Sequence, residues 1–114
     1  MATIYKICPI DLWQAAVKAG VFAGSPVDLA DGFIHFSTAG QVKETAARYF
    51  AGVPDLVLVA FNDADLGGGV HYEPSRGGDL FPHLYGRLDS KAALWASPLP
   101  LGADGAHVFP DLPP

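Results

Sequence analysis

Residues 55–61, which read DLVLVAF, decide the fold of this chain. Residues 56–60 form a continuous apolar run in which leucines alternate with β-branched valines. A strand covered on both faces has this composition, whereas a strand with one solvated face alternates apolar and polar residues. The run therefore predicts a strand at the centre of a sheet, and the other elements are predicted outward from it.

The first third of the chain predicts a strand, a helix and an irregular connection. Residues 3–7 combine aromatic and β-branched side chains, which favours a strand. Pro9 suits the first turn of a helix, and Gly20 suits a left-handed cap at its end. Residues 21–31 are rich in Gly, Ser, Pro and Asp, so we expect no regular element there.

Residues 32–50 predict the second strand and the second helix. Residues 32–36 form an apolar strand that we expect to be buried on both faces. Thr38 and Gln41 match the capping box, so the helix is expected to begin at Thr38. It is expected to end at Gly52 and Pro54, next to the central strand.

Four segments follow the central strand. Residues 70–73 and 84–88 predict strands, the second introduced by Phe81, Pro82 and His83. Residues 92–99 predict an edge strand, because prolines are tolerated at the edge of a sheet and not inside a helix. Residues 101–114 predict an irregular tail. The order β-α-β-α-β-β-β-β predicts a single α+β domain over residues 1–114.

Composition narrows the classes of function. With 13 glycines and 10 prolines among 114 residues, long helical bundles are disfavoured. The net charge of −5 predicts no binding to duplex nucleic acid. Cys8 is the single cysteine, which excludes an intramolecular disulfide and a multi-cysteine zinc site. No apolar run reaches the ~18 residues of a membrane span, so we expect no membrane association and a cytoplasmic protein. The oligomeric state is not predicted.

His35 is a titratable residue inside an apolar strand, which makes it a candidate site residue. Ser37 lies two residues further on and therefore shares its face. Thr38 is expected at a helix start, where free N–H groups attract anions. The three residues together can contact a ribose or a phosphate. The alternative is a core histidine followed by ordinary helix-capping residues.

His71 and Glu73 also lie two residues apart on one strand. With His83 they can form a three-ligand metal site, which would make the protein a small metalloenzyme. The pattern matches no established metal motif, so we expect no metal. Glu73 can instead bind ribose hydroxyls or stabilise a developing positive charge. Its structural alternative is an ion pair with Arg76 at the end of the strand.

Residues 81–86, FPHLYG, form the densest aromatic and histidine stretch of the chain. Tyr85 follows His83 by two residues, so the two side chains are expected on one face of a strand. Gly86 permits a close backbone approach beside them. The alternative is a turn into a strand with packed aromatic side chains.

Residues 31–38 (DGFIHFST), 41–42 (QV), 72–73 (YE) and 81–86 (FPHLYG) together resemble the bacterial family called domain of unknown function 952. The resemblance covers nearly the whole chain. The family is similar to the ADP-ribosyltransferase fold, whose members bind NAD in the cleft of a split, mixed β-sheet. The resemblance therefore implies such a sheet in this chain, together with its two early helices. By this resemblance Lys6 stands in the first motif, where a histidine is usual. Residues 35–38 stand in the second motif, and Glu73 or the pair His83 and Tyr85 in the third.

The resemblance implies a cleft that binds NAD or a related nucleotide, with ADP-ribosyltransferase-like transfer or cleavage as an expectation. His35 and Ser37 would hold the ribose, Tyr85 would stack on a ring, and Glu73 would stabilise an oxocarbenium-like state. One alternative is a non-catalytic module that binds a small molecule or a protein. The other is the metalloenzyme on His71, Glu73 and His83. The residues expected in the cleft are Lys6, His35, Ser37, Thr38, Glu73, His83 and Tyr85.

Overall fold

The computed structural model describes residues 2–112, except for the side chain of Arg76. The elements in chain order are β1 (Thr3–Pro9), α1 (Ile10–Ala19), β2 (Val21–Phe22), α2 (Pro26–Asp31), β3 (Ile34–His35), β4 (Ser37–Thr38), α3 (Val42–Tyr49), β5 (Leu56–Asn62), β6 (Val70–Pro74), β7 (Leu80–Leu84), β8 (Leu88–Asp89) and β9 (Trp95–Leu99). Short 3-10 turns lie at Asp63–Gly69, Arg76–Gly78 and Ser90–Ala92. This is an α+β chain, as predicted. None of the helices formed by residues 2–112 is long and apolar enough to cross a membrane.

The main sheet has the strand order β4-β1-β5-β9, so the predicted central strand is confirmed. Residues 56–61 of β5 are all buried because both faces of the strand are covered. One face packs with Trp13 and Ala16 of α1, and the other packs with Val42 and Ala46 of α3. The expected edge strand is also confirmed, since β9 pairs with β5 along one side.

A second sheet has the order β3-β7-β6, and β2 pairs with β8 in a small third unit. The chain passes from the second sheet to the main sheet between Phe36 and Ser37. Phe36 N–H donates to the carbonyl oxygen of Pro82 on β7 at 3.0 Å, whereas Ser37 pairs with Tyr5 on β1. The chain thus leaves one sheet and joins the other at this point, and a cleft opens between them.

Several sequence expectations are wrong. Every strand pair in the described residues 2–112 is antiparallel, so the sheets are not mixed. The segment 21–31, expected to be irregular, contains β2 and α2. The strand expected at residues 84–88 lies at Leu80–Leu84, and a short β8 follows it. Pro82 fits inside β7 because only its carbonyl is needed on the β3 side, where Phe36 donates to it.

The helix expected from Thr38 begins at Val42 instead. Ser37 and Thr38 form β4, because their backbone pairs with Tyr5 and Ile4 of β1. The side chain of Gln41 still accepts a hydrogen bond from Thr38 N–H at 3.0 Å, as the capping box requires. The free N–H groups at the start of the helix, which were expected beside Thr38, therefore lie further along the chain, at Val42.

The tail has little regular structure. Up to residue 112 it contains one isolated bridge, between Leu101 and His107. Residues 113 and 114, which were also expected in the irregular tail, lie outside the described residues. The imidazole of His107 bonds to the carbonyl oxygen of Val53 at 2.8 Å, which attaches the tail to the loop before β5.

Candidate functional site

A cleft of about 640 Å³ lies where the two sheets separate. Its wall is formed by β1, by the start of α2, by residues 35–37, by α3 with the following Phe50, and by β7. Apolar and aromatic side chains, among them Phe36, Phe50 and Phe81, make up much of the lining. The remaining lining residues carry polar groups and are Lys6, Ser25, Asp31, His35, Ser37, Thr45, Ser75 and His83, besides the two tyrosines. A small-molecule site combines apolar walls with polar groups that fix the orientation of the ligand.

The strand β1 has an unpaired edge in this cleft. Its ladder with β4 covers Ile4 and Tyr5 alone, so in the described chain Lys6 to Pro9 pair on one side, with β5. Ile10 N–H donates to the carbonyl oxygen of Asp55, and Asp63 N–H donates to the carbonyl oxygen of Ala2. The backbone N–H and C=O groups of the even-numbered residues of β1 therefore point towards β5. The N–H and C=O of Ile7 therefore point away from β5, and Ile7 is one of the residues that line the cleft.

A buried ion pair supports the wall of the cleft. Lys6 Nζ lies 2.9 Å from Oδ1 and 2.8 Å from Oδ2 of Asp28, and both side chains are almost fully buried. Asp28 Oδ2 also accepts the backbone N–H of Ser25 at 2.8 Å. Burial by itself would raise the pKa of Asp28, but hydrogen bonds from His35 and the charge of Lys6 outweigh it, and the pKa lies well below its usual range. Lys6 is thus committed to Asp28 and is not available as a separate cation.

His35 is clamped between two carboxylates. Its Nδ1 lies 2.6 Å from Asp28 Oδ1, and its Nε2 lies 2.9 Å from Asp31 Oδ2. Its backbone N–H also donates to Asp28 Oδ1 at 3.0 Å. Both ring nitrogens of His35 therefore face carboxylate oxygens. The cluster of Lys6, Asp28, Asp31 and His35 thus places one ammonium group and one imidazole against two carboxylates.

His83 carries a second hydrogen-bonded group on the neighbouring strand. Its Nδ1 lies 2.8 Å from Glu73 Oε1, and the hydroxyl of Tyr85 donates to the same oxygen at 2.6 Å. The hydrogen bonds from Tyr85 and His83 lower the pKa of Glu73. The bond to Glu73 raises the pKa of Tyr85. Phe33 stacks on the ring of His83 with centroids 4.1 Å apart.

The seven predicted site residues separate into two groups. Lys6, His35, Ser37 and His83 line the cleft. Thr38, Glu73 and Tyr85 lie outside its lining, although Glu73 and Tyr85 connect to it through His83. The hydroxyl of Ser37 is shared with Thr45 Oγ1 at 3.0 Å.

Sequence reasoning missed Asp28, Asp31, Phe33 and the edge of β1 at Ile7. Asp28 had a signal, because Ser25-Pro26-Val27-Asp28 has the spacing of a capping box with Pro at the first helical position. Phe33 had a weaker signal, because it lies two residues before His35 and alternation predicts a shared face. The role of Ile7 had none, because an unpaired edge depends on where a partner strand ends.

The three residues of the metalloenzyme alternative, His71, Glu73 and His83, are not gathered into one group of ligands. No group of three or more His, Cys, Asp or Glu side chains among the described residues is arranged to hold a metal ion. His71 is exposed and contacts the edge of the Tyr85 ring, with centroids 5.5 Å apart. His83 and Glu73 bond to each other instead. The alternative ion pair of Glu73 with Arg76 involves a side chain outside the described part of the chain.

Comparison with known proteins gives a family and structural relatives. A sequence model of the family described as "Protein of unknown function (DUF952)" matches residues 7–96. The crystal structure of protein CC0527 from Caulobacter crescentus matches with a TM-score of 0.90 and 47% identity over 94% of each chain. The solution NMR structure of CC0527 matches with a TM-score of 0.83 and 48% identity over 93% of this chain and 91% of that chain. No curated protein matches. The fold described above is therefore shared with CC0527.

Proposed function

We propose that this chain, which belongs to the DUF952 family of proteins of unknown function, binds NAD or a related nucleotide in the cleft between its two sheets. The observation that carries the proposal is the convergence of His35, Ser37 and His83 on one cleft beside the unpaired edge of β1. The similarity of the family to the ADP-ribosyltransferase fold is part of this proposal.

The size and lining of the cleft suit a nucleotide. Its volume of about 640 Å³ falls in the range of roughly 300–1,000 Å³ typical of small-molecule sites. Phe36 and Phe81 provide apolar wall for a planar ring. Tyr85, which was expected to stack on a ring, lies outside the lining, so these phenylalanines take that role in the proposal.

The edge of β1 favours a ligand that carries an amide. The N–H and C=O of Ile7 form a donor and an acceptor on one side of the strand. A carboxamide presents the complementary acceptor and donor, as the nicotinamide of NAD does. The amide of the ligand would thus continue the hydrogen bonding that β4 ends at Tyr5.

The charges in the wall favour the uncharged part of the nucleotide. Lys6 and His35 are both engaged by Asp28, and Asp31 adds a second carboxylate to the cluster. A diphosphate would find no uncompensated cation in this cluster, so we place the phosphates towards solvent. The ribose would lie near Ser37 and His35, whose polar atoms match hydroxyl groups.

NMR titration tests the proposal. Adding NAD at millimolar concentration to ¹⁵N-labelled protein is expected to shift the resonances of Ile7, Ser37 and His35, and free nicotinamide is expected to shift Ile7 alone among these. Ser37→Ala should weaken NAD binding roughly 2- to 10-fold, the effect of one hydrogen bond. Thr38→Ala, which removes a neighbouring hydroxyl outside the cleft, should leave the affinity unchanged. If NAD and ADP-ribose shift none of these resonances, the proposal is wrong.

A non-catalytic binding module is the second candidate. The observation that favours it is the position of Glu73, which was expected to act on the substrate and is not in the cleft lining. This function predicts saturable NAD binding with no release of nicotinamide when the mixture is followed by ¹H NMR. Release of nicotinamide that requires the protein would exclude it.

A further inference from the structure

The two ring nitrogens of His83 lie in different surroundings. Nδ1 lies 2.8 Å from Oε1 of Glu73, a residue that is not part of the cleft lining. Nε2 has no hydrogen-bond partner among the described residues. Every fully buried side-chain nitrogen or oxygen of these residues has a partner, so Nε2 is not fully buried. His83 itself is one of the residues that line the cleft.

The partners of His83 determine which nitrogen carries the proton. An ionised carboxylate only accepts hydrogen bonds, and the pKa of Glu73 is lowered by Tyr85 and His83, which keeps it ionised. The pKa of Tyr85 is raised, so its hydroxyl keeps its proton and donates to the same Oε1. Nδ1 of His83 must then be the protonated nitrogen of the neutral ring. Nε2 is left with a lone pair.

The ring of His83 is also held in place. Its side chain is 6% exposed, and Phe33 stacks on it at an interplanar angle of 27°. The backbone of His83 pairs with His35 on one neighbouring strand and with His71 on the other. Enzymes that transfer protons use a base of this kind, which is held in one orientation and one tautomer.

We propose that His83 is a general base of the cleft, with Glu73 and Tyr85 as its positioning residues. The group that gives up a proton is a ligand hydroxyl, such as a ribose hydroxyl, or a water bound beside the ligand. The identity of the ligand in this assignment rests on the proposed function. The position of the proton on the ring of His83 does not depend on it.

The proton transfer is balanced within these groups. The O–H bond of the hydroxyl or water breaks, and its proton forms an N–H bond with the lone pair of Nε2. The ring becomes an imidazolium whose positive charge faces the carboxylate of Glu73. The oxygen keeps the bonding electron pair and becomes a nucleophile. The imidazolium later returns the proton to solvent or to a leaving group.

The state of the ring is measured by long-range ¹H–¹⁵N NMR of the histidine side chains. In the wild-type protein at neutral pH we expect the neutral ring of His83 to carry its proton on Nδ1. In Glu73→Gln the ratio of the two tautomers should change about tenfold or more, the effect of losing one charge-assisted hydrogen bond. Tyr85→Phe should keep the wild-type tautomer, because Nδ1 still bonds to Glu73. Tyr85→Phe thus provides a readout if Glu73→Gln does not fold.

Reaction with diethylpyrocarbonate, followed by mass spectrometry, tests the access to Nε2. We expect His83 to be modified in the wild type and protected by millimolar NAD. His71→Gln, a change on the neighbouring strand outside the cleft, should leave the rate at His83 unchanged. A proton on Nε2 in the wild type, an unchanged tautomer in Glu73→Gln or an unreactive His83 would overturn the assignment of the base. If His83 carries its proton on Nδ1 and reacts with diethylpyrocarbonate, but NAD does not protect it, the assignment of the base stands and the proposed ligand is contradicted.

Discussion

Asp28 shows how one buried side chain holds the wall of the cleft. It contacts Lys6, His35 and the backbone of Ser25, and its side chain is 1% exposed. It lies in α2 and is buried, and it contacts Lys6 and His35, which line the cleft. A buried carboxylate with this set of partners is stable because each of its lone pairs meets a donor.

Asp28→Asn is therefore expected to destabilise the protein strongly. The substitution leaves the buried ammonium of Lys6 without a counter-charge, and breaking a buried pair in this way costs about 3–5 kcal/mol. Asp31→Asn is the matched control. It removes the other carboxylate bonded to His35, but this carboxylate is half exposed and should contribute below about 1 kcal/mol. Urea denaturation measures both effects, and equal losses in the two variants would contradict the prediction.

The same residue predicts a dependence of stability on acid. The folded-state pKa of Asp28 lies below its ordinary value of 3.8. Above about pH 5 the carboxylate is ionised in both states, so its contribution is fully present. As the pH falls further, the unfolded chain binds the proton first and the stability contribution is lost. The difference in unfolding free energy between wild type and Asp28→Asn should therefore narrow from about pH 5 to about pH 2. A constant difference across this range would contradict the assignment.

At the scale of the elements, Gly69 connects the turn before β6 to the end of β7. Tyr85 N–H donates to the carbonyl oxygen of Gly69 at 2.8 Å. A Cβ atom at Gly69 would lie 2.5 Å from the carbonyl oxygen of Tyr85 and 3.2 Å from Leu84 Cδ1. This close approach brings the 3-10 segment against the strand that carries His83.

Gly69→Ala is expected to destabilise the protein by roughly 1–3 kcal/mol, because the backbone must move to relieve the overlap. Gly68→Ala is the control in the same segment. A Cβ atom at Gly68 meets nothing within 4 Å, so this change should be neutral or stabilising by about 0.4–1 kcal/mol. Thermal unfolding compares the two variants. A Gly69→Ala protein as stable as Gly68→Ala would show that the approach is not tight.

At the scale of the elements, the sequence predicts correctly those strands and helices that have the strongest local patterns. The run in β5 was decisive because burial on both faces demands apolar side chains at every position. The second helix was expected at Thr38 and begins at Val42, because strand pairing with β1 used the backbone of Ser37 and Thr38. The sequence misplaces β7 because a proline favours a position before a strand, whereas Pro82 lies inside Leu80–Leu84. One missing N–H is tolerated where the partner strand needs only an acceptor.

At the scale of the whole molecule, the separation of the two sheets creates the cleft. Pro82 accepts from Phe36 N–H but cannot donate in return, so the ladder between β3 and β7 ends there. The next residues, Ser37 and Thr38, pair with β1 instead. This change of partner leaves β1 without a second neighbour from Lys6 to Pro9 in the described chain.

Hydrogen exchange tests this open edge. The amide of Ile7 points away from β5, whereas those of Lys6 and Cys8 point towards it. We therefore expect the amide of Ile7 to exchange faster than the amides of Lys6 and Cys8. The amide of Tyr5 is an internal control, because it faces β4 and should be protected. Exchange of Ile7 as slow as that of its two neighbours would show that the edge is closed.

The sequence by itself determined the α+β class, the central strand, the first helix and four of the residues that line the cleft. These features depend on periodicity, turn residues and side-chain chemistry, which are local properties of the chain. The tertiary structure alone decided the antiparallel pairing, the split between the sheets and the commitment of Lys6 to Asp28. It also decided that Glu73 bonds to His83 and lies outside the lining of the cleft. These features depend on which distant segments meet, and a local pattern does not specify its partner.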